Sequence, residues 1–271
     1  MSSLKTKVAG SSGVLIEQSI VESEYLERSV TIDAYFPAKL SLKMDLLLIN
    51  DGQDLPKMPF DQILAGLYKS ASIKPLLCIG IHCGVARHME YGTVCQADYE
   101  GKGAKAGLYA KFIFEELMPF IENRYGFITF RNKSFAGFSL GGLSALDMVW
   151  NHSAEFSKAG VFSGSLWWRR RSYSDGYEDD KDRIMHLQVK KGKFRERLKF
   201  FFQCGQLDET ADRNSNGIID SIEDALDLIN ELKNKGYTDE DIRYLELADG
   251  KHDVQSWGRA FPEFLKWGWG K

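Results

Sequence analysis

Apolar residues along this chain come in two rhythms. Short runs, often β-branched or aromatic, mark strands: Ser29 to Phe36, Met44 to Ile49, Leu76 to Ile81, Ser134 to Gly137, Ala159 to Ser163, Leu198 to Gln203 and Arg243 to Leu247. Several are apolar on both faces, the pattern of strands buried inside a parallel sheet. Longer segments repeat at helical spacing. Leu108 to Tyr125 sets Phe112, Leu117 and Ile121 opposite its charges, and Leu140 to Asn151 is apolar on most sides. Ser221 to Lys235 aligns Ile222, Leu226, Ile229 and Leu232 on one stripe and stops at Gly236. Strands alternating with helices predict an α/β fold: a mostly parallel sheet covered on both faces. The strands up to Ile49 have no helices between them and are expected to form an antiparallel edge. No repeat, low-complexity tract or flexible linker divides the chain. Residues 1–271 therefore read as one domain, with 1–28 as an extension or first edge strand.

Composition narrows the function without choosing it. The chain has 271 residues, 44 % apolar and 13 % aromatic, enough to bury a large core. A net charge of −3 leaves no electrostatic footprint for nucleic acid, and Arg169, Arg170 and Arg171 are too short a run to make one. No apolar stretch is long enough to span a bilayer. The N-terminus, MSSLKTKVAGSSG, is polar and lacks the apolar core of a signal peptide. Cys78, Cys83, Cys95 and Cys204 include no C-x-x-C pair, so a reduced, cytoplasmic protein is expected.

The chemistry concentrates at Gly137-Phe138-Ser139-Leu140-Gly141, a G-x-S-x-G motif with a strand before it and a small-residue helix after it. Such a turn strains the serine backbone, lifts its Oγ above the sheet, and needs glycines where a Cβ would collide. The N–H of Leu140, at the helix start, is expected to serve as one oxyanion donor. The plainer alternative is a glycine-rich turn. A serine nucleophile needs a base, and the chain order on this kind of sheet is serine, acid, histidine. His82 and His88 precede the serine, His152 follows it by barely one helix, and His186 lies in a charged stretch without a strand before it. His252 remains, after the last strand and the loop Ala248-Asp249-Gly250-Lys251; otherwise it is a surface histidine. Asp208 and Glu209 are the first carboxylates after Leu198 to Gln203. The triad reads Ser139, Asp208, His252, with Glu209 and Asp212 as rivals for the acid.

With these residues in place, the chain resembles the putative-esterase family of α/β-hydrolases, which includes enterochelin esterases, S-formylglutathione hydrolases and feruloyl esterase domains. The likeness runs from about Thr31 through LLLINDGQDL, ARHMEYG, FIFEELMPFIENRYG, AGFSLGGLSAL, VFSGSLWW and DGKHDVQSW. It implies an α/β-hydrolase fold and an acid after a G-x-x-D step, here Gly205 to Asp208. A glycine commonly precedes the catalytic histidine; this chain has Gly250-Lys251-His252 instead. The resemblance also points to the N–H of Gln53, in Asp51-Gly52-Gln53-Asp54, as second oxyanion donor, although Asp51-Gly52 also fits a tight turn. Arg87, Glu90 and Tyr91 would shape a pocket wall, or else form an internal ion pair and a core tyrosine. Trp167 and Trp168 would stack on a sugar or aromatic group, or else fill the core. The implied activity is hydrolysis of a siderophore lactone, an acylated sugar or a small thioester, with no cofactor for catalysis. The alternative of another class is a non-catalytic binding module using the Trp167/Trp168 cleft.

One motif lies outside that chemistry. DETADRNSNGIIDSIE, from Asp208 to Glu223, contains the pattern D-x-[DN]-x-[DN]-G-x5-E starting at Asp212. Asp212, Asn214, Asn216, Asp220 and Glu223, with the carbonyl of Ile218, match the spacing that wraps oxygen ligands around calcium. Only the exiting helix of such a hand is present. A structural calcium site bracing the Asp208 loop is expected; the alternative is an Asx-rich turn with Asp220 or Ser221 capping the helix.

Overall fold

The computed structural model describes residues 13–39 and 41–271; most of the polar N-terminal stretch read above lies outside them. Eight strands form one sheet: β1 (Val14–Ser23), β2 (Arg28–Pro37), β3 (Lys43–Asn50), β4 (Leu76–Ile81), β5 (Thr129–Phe138), β6 (Phe156–Phe162), β7 (Lys199–Leu207) and β8 (Ile242–Lys251). Their order is β1-β2-β4-β3-β5-β6-β7-β8. This is the α/β-hydrolase architecture, mostly parallel with an antiparallel edge.

The edge is narrower than its spacing suggested. β1 pairs with β2, and β2 with β4, antiparallel, but β3 lies inside the sheet, parallel to both β4 and β5. A parallel neighbour needs a crossover. The 3-10 turn Gly52–Lys57 and the helix Phe60–Lys69 supply it, burying Phe60, Leu64 and Leu67 along one stripe. That short stripe carries too few apolar positions to stand out from the surrounding loop. Two further helices beyond the expected set, Ile184–Lys191 and Val254–Trp269, complete the cover.

Alternation along the strands feeds two cores. In β3, Met44, Leu46 and Leu48 face one core, while Leu47 and Ile49 face the other. The first core is closed by Leu140–Asn151, Asp220–Asn234 and the helical run from Ala106 to Arg124, whose middle turn Phe112–Leu117 is π-helical. The second is closed by Phe60–Lys69 and the aromatic-rich Val254–Trp269. Each fully buried leucine or phenylalanine is worth about 1.5–3 kcal/mol, so residues covered on both sheet faces anchor the parallel strands firmly.

Because β3, β5, β6, β7 and β8 run parallel, their C-terminal ends share one edge of the sheet, where α/β proteins place ligands. Asp51, Ser139, Ser163, Asp208 and His252 all follow those ends. Among the described residues no helix is long and apolar enough to cross a membrane, and all four cysteines are unpaired.

Candidate active site

Ser139 sits between β5 and the helix Leu140–Asn151 with φ 54° and ψ −122°, a backbone geometry that side-chain-bearing residues avoid. Four hydrogen bonds hold it there. Its N–H donates to Phe162 O at 2.8 Å, and its carbonyl accepts from Gly142, Leu143 and Ser165 at 3.0, 3.2 and 3.1 Å. The flanking glycines are required by close approach. A Cβ on Gly137 would run into the backbone of Gly141, and one on Gly141 would lie 2.6 Å from Asp51 Oδ2. Ser139 is partly exposed while Leu140, the first helical residue, is buried. The Leu140 N–H belongs to the first turn, which has no intrahelical acceptor.

The end of β3 is tied to this elbow by Asn50 and Tyr109. Asn50 Nδ2 donates to Gly141 O at 2.8 Å, and Tyr109 Oη donates to Asn50 Oδ1 at 2.5 Å. Asp51 takes a left-handed conformation, φ 59° and ψ 43°, and leads into the 3-10 turn that begins with Gly52 and Gln53. Gln53 is fixed by its side chain, whose Oε1 accepts from Cys83 N at 3.1 Å. Its backbone N–H sits in the first turn, without an intrahelical acceptor. Asn50 is marked in the sequence as a polar residue directly after the apolar run Leu46 to Ile49.

Asp208 and His252 are brought together by strand pairing. Leu207 of β7 is in register with Lys251 of β8, so the next residue on each chain is Asp208 and His252. Asp208 Oδ2 accepts from Gly205 N at 3.1 Å, whereas Oδ1 is buried with no hydrogen-bond partner. The rivals are committed elsewhere. Glu209 Oε1 accepts from Ser221 N at 2.6 Å, and Asp212 accepts from Asn216 N and Gly217 N at 3.1 and 2.9 Å. His252 is exposed and edge-on to Trp257, ring centroids 5.4 Å apart. Trp257 in turn stacks on Phe138 and donates from Nε1 to Ser163 Oγ at 2.9 Å. Among the described residues, no hydrogen bond joins His252 to Ser139 or Asp208. The nearest hydroxyl partner of Ser139 Oγ is Ser165 Oγ, at 3.4 Å.

Two of the other histidines, His186 and His82, have structural partners. His186 is buried, with Nε2 2.8 Å from Asp224 O, and burial followed by the nearby Arg183 pulls its pKa from 6.5 down to about 3. His82 meets Asp33 at 2.6 Å, far from the elbow in sequence and on the antiparallel side.

The expected pocket residues divide. Arg87 is at the site: it forks onto Asp51, Nε–Oδ1 and Nη2–Oδ2 both 2.7 Å, and Nη2 reaches Phe138 O at 3.3 Å. Glu90 is 1 % exposed and paired with Arg28 at 2.9 and 2.7 Å, so it is the internal ion pair. Tyr91 is fully buried beneath the Asp51 N–H, 3.3 Å from its hydroxyl, and is a core tyrosine. Trp168 is also fully buried, against Gly92 and Gly103, while Trp167 is half-buried. A cleft between the two tryptophans is therefore absent among the described residues.

The loop from Asp212 to Glu223 follows the expected turn, with Gly217 at φ 85°. Asn214 and Asn216 both direct their amide nitrogens to Glu223 Oε1 at 2.7 Å, and Glu223 Oε2 is buried without a hydrogen-bond partner. The amide oxygens of Asn214 and Asn216 accept from the N–H groups of Asn216 and Ile218 at 3.2 and 2.8 Å, the pattern of an Asx-rich turn. Arg213 competes for the same charge, with Nη1 3.4 Å from Asp220 and Nη2 3.5 Å from Glu223. No group of three or more His, Cys, Asp and Glu side chains converges as a metal site among the described residues. The helix Asp220–Asn234 is capped neither by Asp220 nor by Ser221 but by Glu209, from twelve residues upstream of its Ser221 partner.

A family model described as "Putative esterase" matches residues 23–267. The chain belongs to this esterase family. A search of curated proteins finds no match. Solved structures share the fold. The enterobactin esterase of Shigella flexneri is 19 % identical with a TM-score of 0.69, covering 93 % of this chain and 58 % of its own. Siderophore hydrolase EstB from Aspergillus nidulans is 17 % identical with a TM-score of 0.72, covering 96 % of each chain. A ferulic acid esterase is 17 % identical with a TM-score of 0.69, covering 93 % of this chain and 97 % of its own. The chain spans little more than half the length of the Shigella enzyme.

Proposed function

We propose that this esterase hydrolyses a small-molecule carboxylic ester or thioester through a Ser139–His252–Asp208 triad and an acyl-enzyme. The observation that carries the reading is the Ser139 backbone, held at φ 54° by four hydrogen bonds at the shared sheet edge. Ser139 Oγ attacks the carbonyl carbon while His252 takes its proton. The N–H groups of Leu140 and Gln53 receive the oxyanion. The tetrahedral intermediate collapses, the alcohol or thiol leaves with the proton from His252, and water activated by the same histidine releases the acid. Asp208 Oδ1, a buried acceptor without a partner, is suited to orient the His252 N–H. Catalytic hydrogen bonds are often loose until substrate binds, which accommodates a His252 with no hydrogen bond to either partner here.

The names of the structural neighbours favour a siderophore ester or a phenolic acyl ester over a small thioester. A calcium ion held by Asp212, Asn214, Asn216, the Ile218 carbonyl, Asp220 and Glu223 is proposed as a brace for the segment that starts at Asp208; it takes no part in the ester chemistry. The test of the nucleophile is p-nitrophenyl acetate hydrolysis by parent and Ser139→Ala, with fluorophosphonate labelling. Turnover should fall by roughly 10⁴ or more. Labelling at any other serine would overturn the assignment.

A further inference from the structure

Trp257 meets three pieces of the active-site edge that lie far apart in sequence. Its ring stacks on Phe138, the residue before the proposed nucleophile, at a centroid distance of 5.0 Å and an interplanar angle of 18°. Its Nε1 donates to the hydroxyl of Ser163, directly after β6, at 2.9 Å. The His252 ring stands edge-on to the same indole, with centroids 5.4 Å apart and planes at 82°. Trp257 is 7 % exposed and belongs to the second core, beside Phe138 and Phe261. Stack and hydrogen bond together leave the indole one orientation.

Ser163 holds that hydrogen bond from a strained backbone. Its φ of 44° lies in the positive region that glycine adopts freely and a residue with a Cβ avoids. The residue is buried, and its N–H donates to Gln203 O at 2.7 Å. Glycine would relieve the strain but would offer the buried indole N–H no acceptor, and an unpaired buried donor is destabilising. The hydroxyl therefore accounts for a serine at this position. His252 is the opposite case. Its backbone is tied on both sides: Lys251 N donates to Ser256 Oγ at 2.8 Å, Asp253 N to Lys251 O at 2.7 Å, and Ser256 N to Asp253 Oδ1 at 2.8 Å. Its imidazole is exposed and makes no hydrogen bond among the described residues; the ring it meets is Trp257.

We propose that Trp257 is a positioning residue for the base: keyed by Ser163 and stacked on Phe138, it sets where the His252 ring stands relative to Ser139. The inference rests on the serine-esterase reading. Phe138 precedes the nucleophile and His252 is the proposed base, so one rigid ring relates the two across the sheet edge. Proton transfer tolerates little error, and a displacement of about 1 Å costs on the order of 100-fold in rate. Trp257 acts through His252 and takes no part in bond breaking.

The test compares the parent with Trp257→Leu, Trp257→Phe and Ser163→Gly in p-nitrophenyl acetate hydrolysis, thermal melting and the NMR resonance of the His252 Cε1–H, assigned with His252→Gln. Trp257→Leu should lower kcat about 10- to 100-fold and change KM less than about twofold. Trp257→Phe keeps a ring against Phe138 and His252 and should recover part of kcat. Ser163→Gly should lower kcat about 3- to 10-fold, the range of one lost hydrogen bond. Its melting temperature should move by less than about 3 °C, because relieved strain offsets that bond. The resonance should carry the ring-current shift of the indole in the parent, lose it in Trp257→Leu and move in Ser163→Gly. An unchanged kcat or an unmoved resonance in Trp257→Leu, or losses of kcat that follow melting temperature across the variants, would reduce Trp257 to a packing role. If Trp257→Leu does not fold, Ser163→Gly decides, and an unchanged kcat there overturns the proposal. Reading the resonance in Ser139→Ala needs no turnover and so separates this from the triad reading. A shift lost on adding Trp257→Leu supports the hold on His252 even if Ser139→Ala proves fully active; a shift that stays overturns it.

Discussion

Arg87 and Asp51 form a two-pronged ion pair, each prong 2.7 Å, whose arginine also reaches the carbonyl of Phe138 beside the nucleophile. One side chain thereby ties the Gln53 turn to the serine elbow. Asp51 is 2 % exposed, and removing one partner of a buried pair leaves an uncompensated charge. Arg87→Met should cost about 3 kcal/mol of stability by urea denaturation, and adding Asp51→Asn should recover much of it. A double variant no better than the single would mean that the pair is not what the arginine supplies.

Ser139 carries strain that a glycine would not. Ser139→Ala keeps the Cβ, so Ser139→Gly should be more stable than Ser139→Ala by about 1 kcal/mol, both being inactive. The comparison is made by thermal melting, and the reverse order would deny the strain.

The two first carboxylates after β7 have separable effects. Asp208→Asn should lower turnover by roughly 10⁴ if it orients His252. Glu209→Gln should keep activity and cost about 1 kcal/mol, because Glu209 caps the helix Asp220–Asn234. Dead Glu209→Gln beside an active Asp208→Asn would exchange their roles.

Calcium at the Asp212 loop should stabilise the folded chain by mass action, about 2.7 kcal/mol at a hundredfold excess over the dissociation constant. Glu223→Gln should abolish that increment and leave turnover nearly unchanged. Identical melting curves with calcium and with chelator would leave a loop held by Arg213 and by the hydrogen bonds of Asp212, Asn214, Asn216 and Glu223.

His186 makes the fold acid-sensitive. The unfolded chain protonates it near 6.5, the folded chain only near 3. Between those values the unfolded state binds the extra proton, so stability is lost as pH falls, by about 1.4 kcal/mol per unit below 6.5 from this group. His186→Gln should show a flatter stability profile from pH 6.5 to 4; an unchanged slope would assign the acid sensitivity elsewhere.

Local rules made much of this protein legible in sequence. Leu76–Ile81 and Leu140–Asn151 fall where the apolar pattern places them, and the other expected strands lie within longer observed ones or match them closely. Those elements are apolar on both faces or periodic over many residues. The elbow was legible because its G-x-S-x-G pattern is local, Gly137 being required by the backbone of Gly141, although Gly141 itself is required by Asp51 from the end of β3. Tertiary structure decided the rest, because it depends on which strands become neighbours. β3 moved from the expected edge to the middle of the sheet through a crossover helix with only three buried apolar residues. Trp168, Glu90 and Tyr91 entered the interior because burial depends on partners, Gly92 with Gly103, Arg28, and the Asp51 turn, that composition does not announce. Glu209 became a cap across a loop, and Arg169 came to lie among aromatics gathered from two separate loops. Periodicity specifies the elements because backbone hydrogen bonds close locally; long-range pairing specifies the site because a charge or a ring takes its meaning from what packs against it.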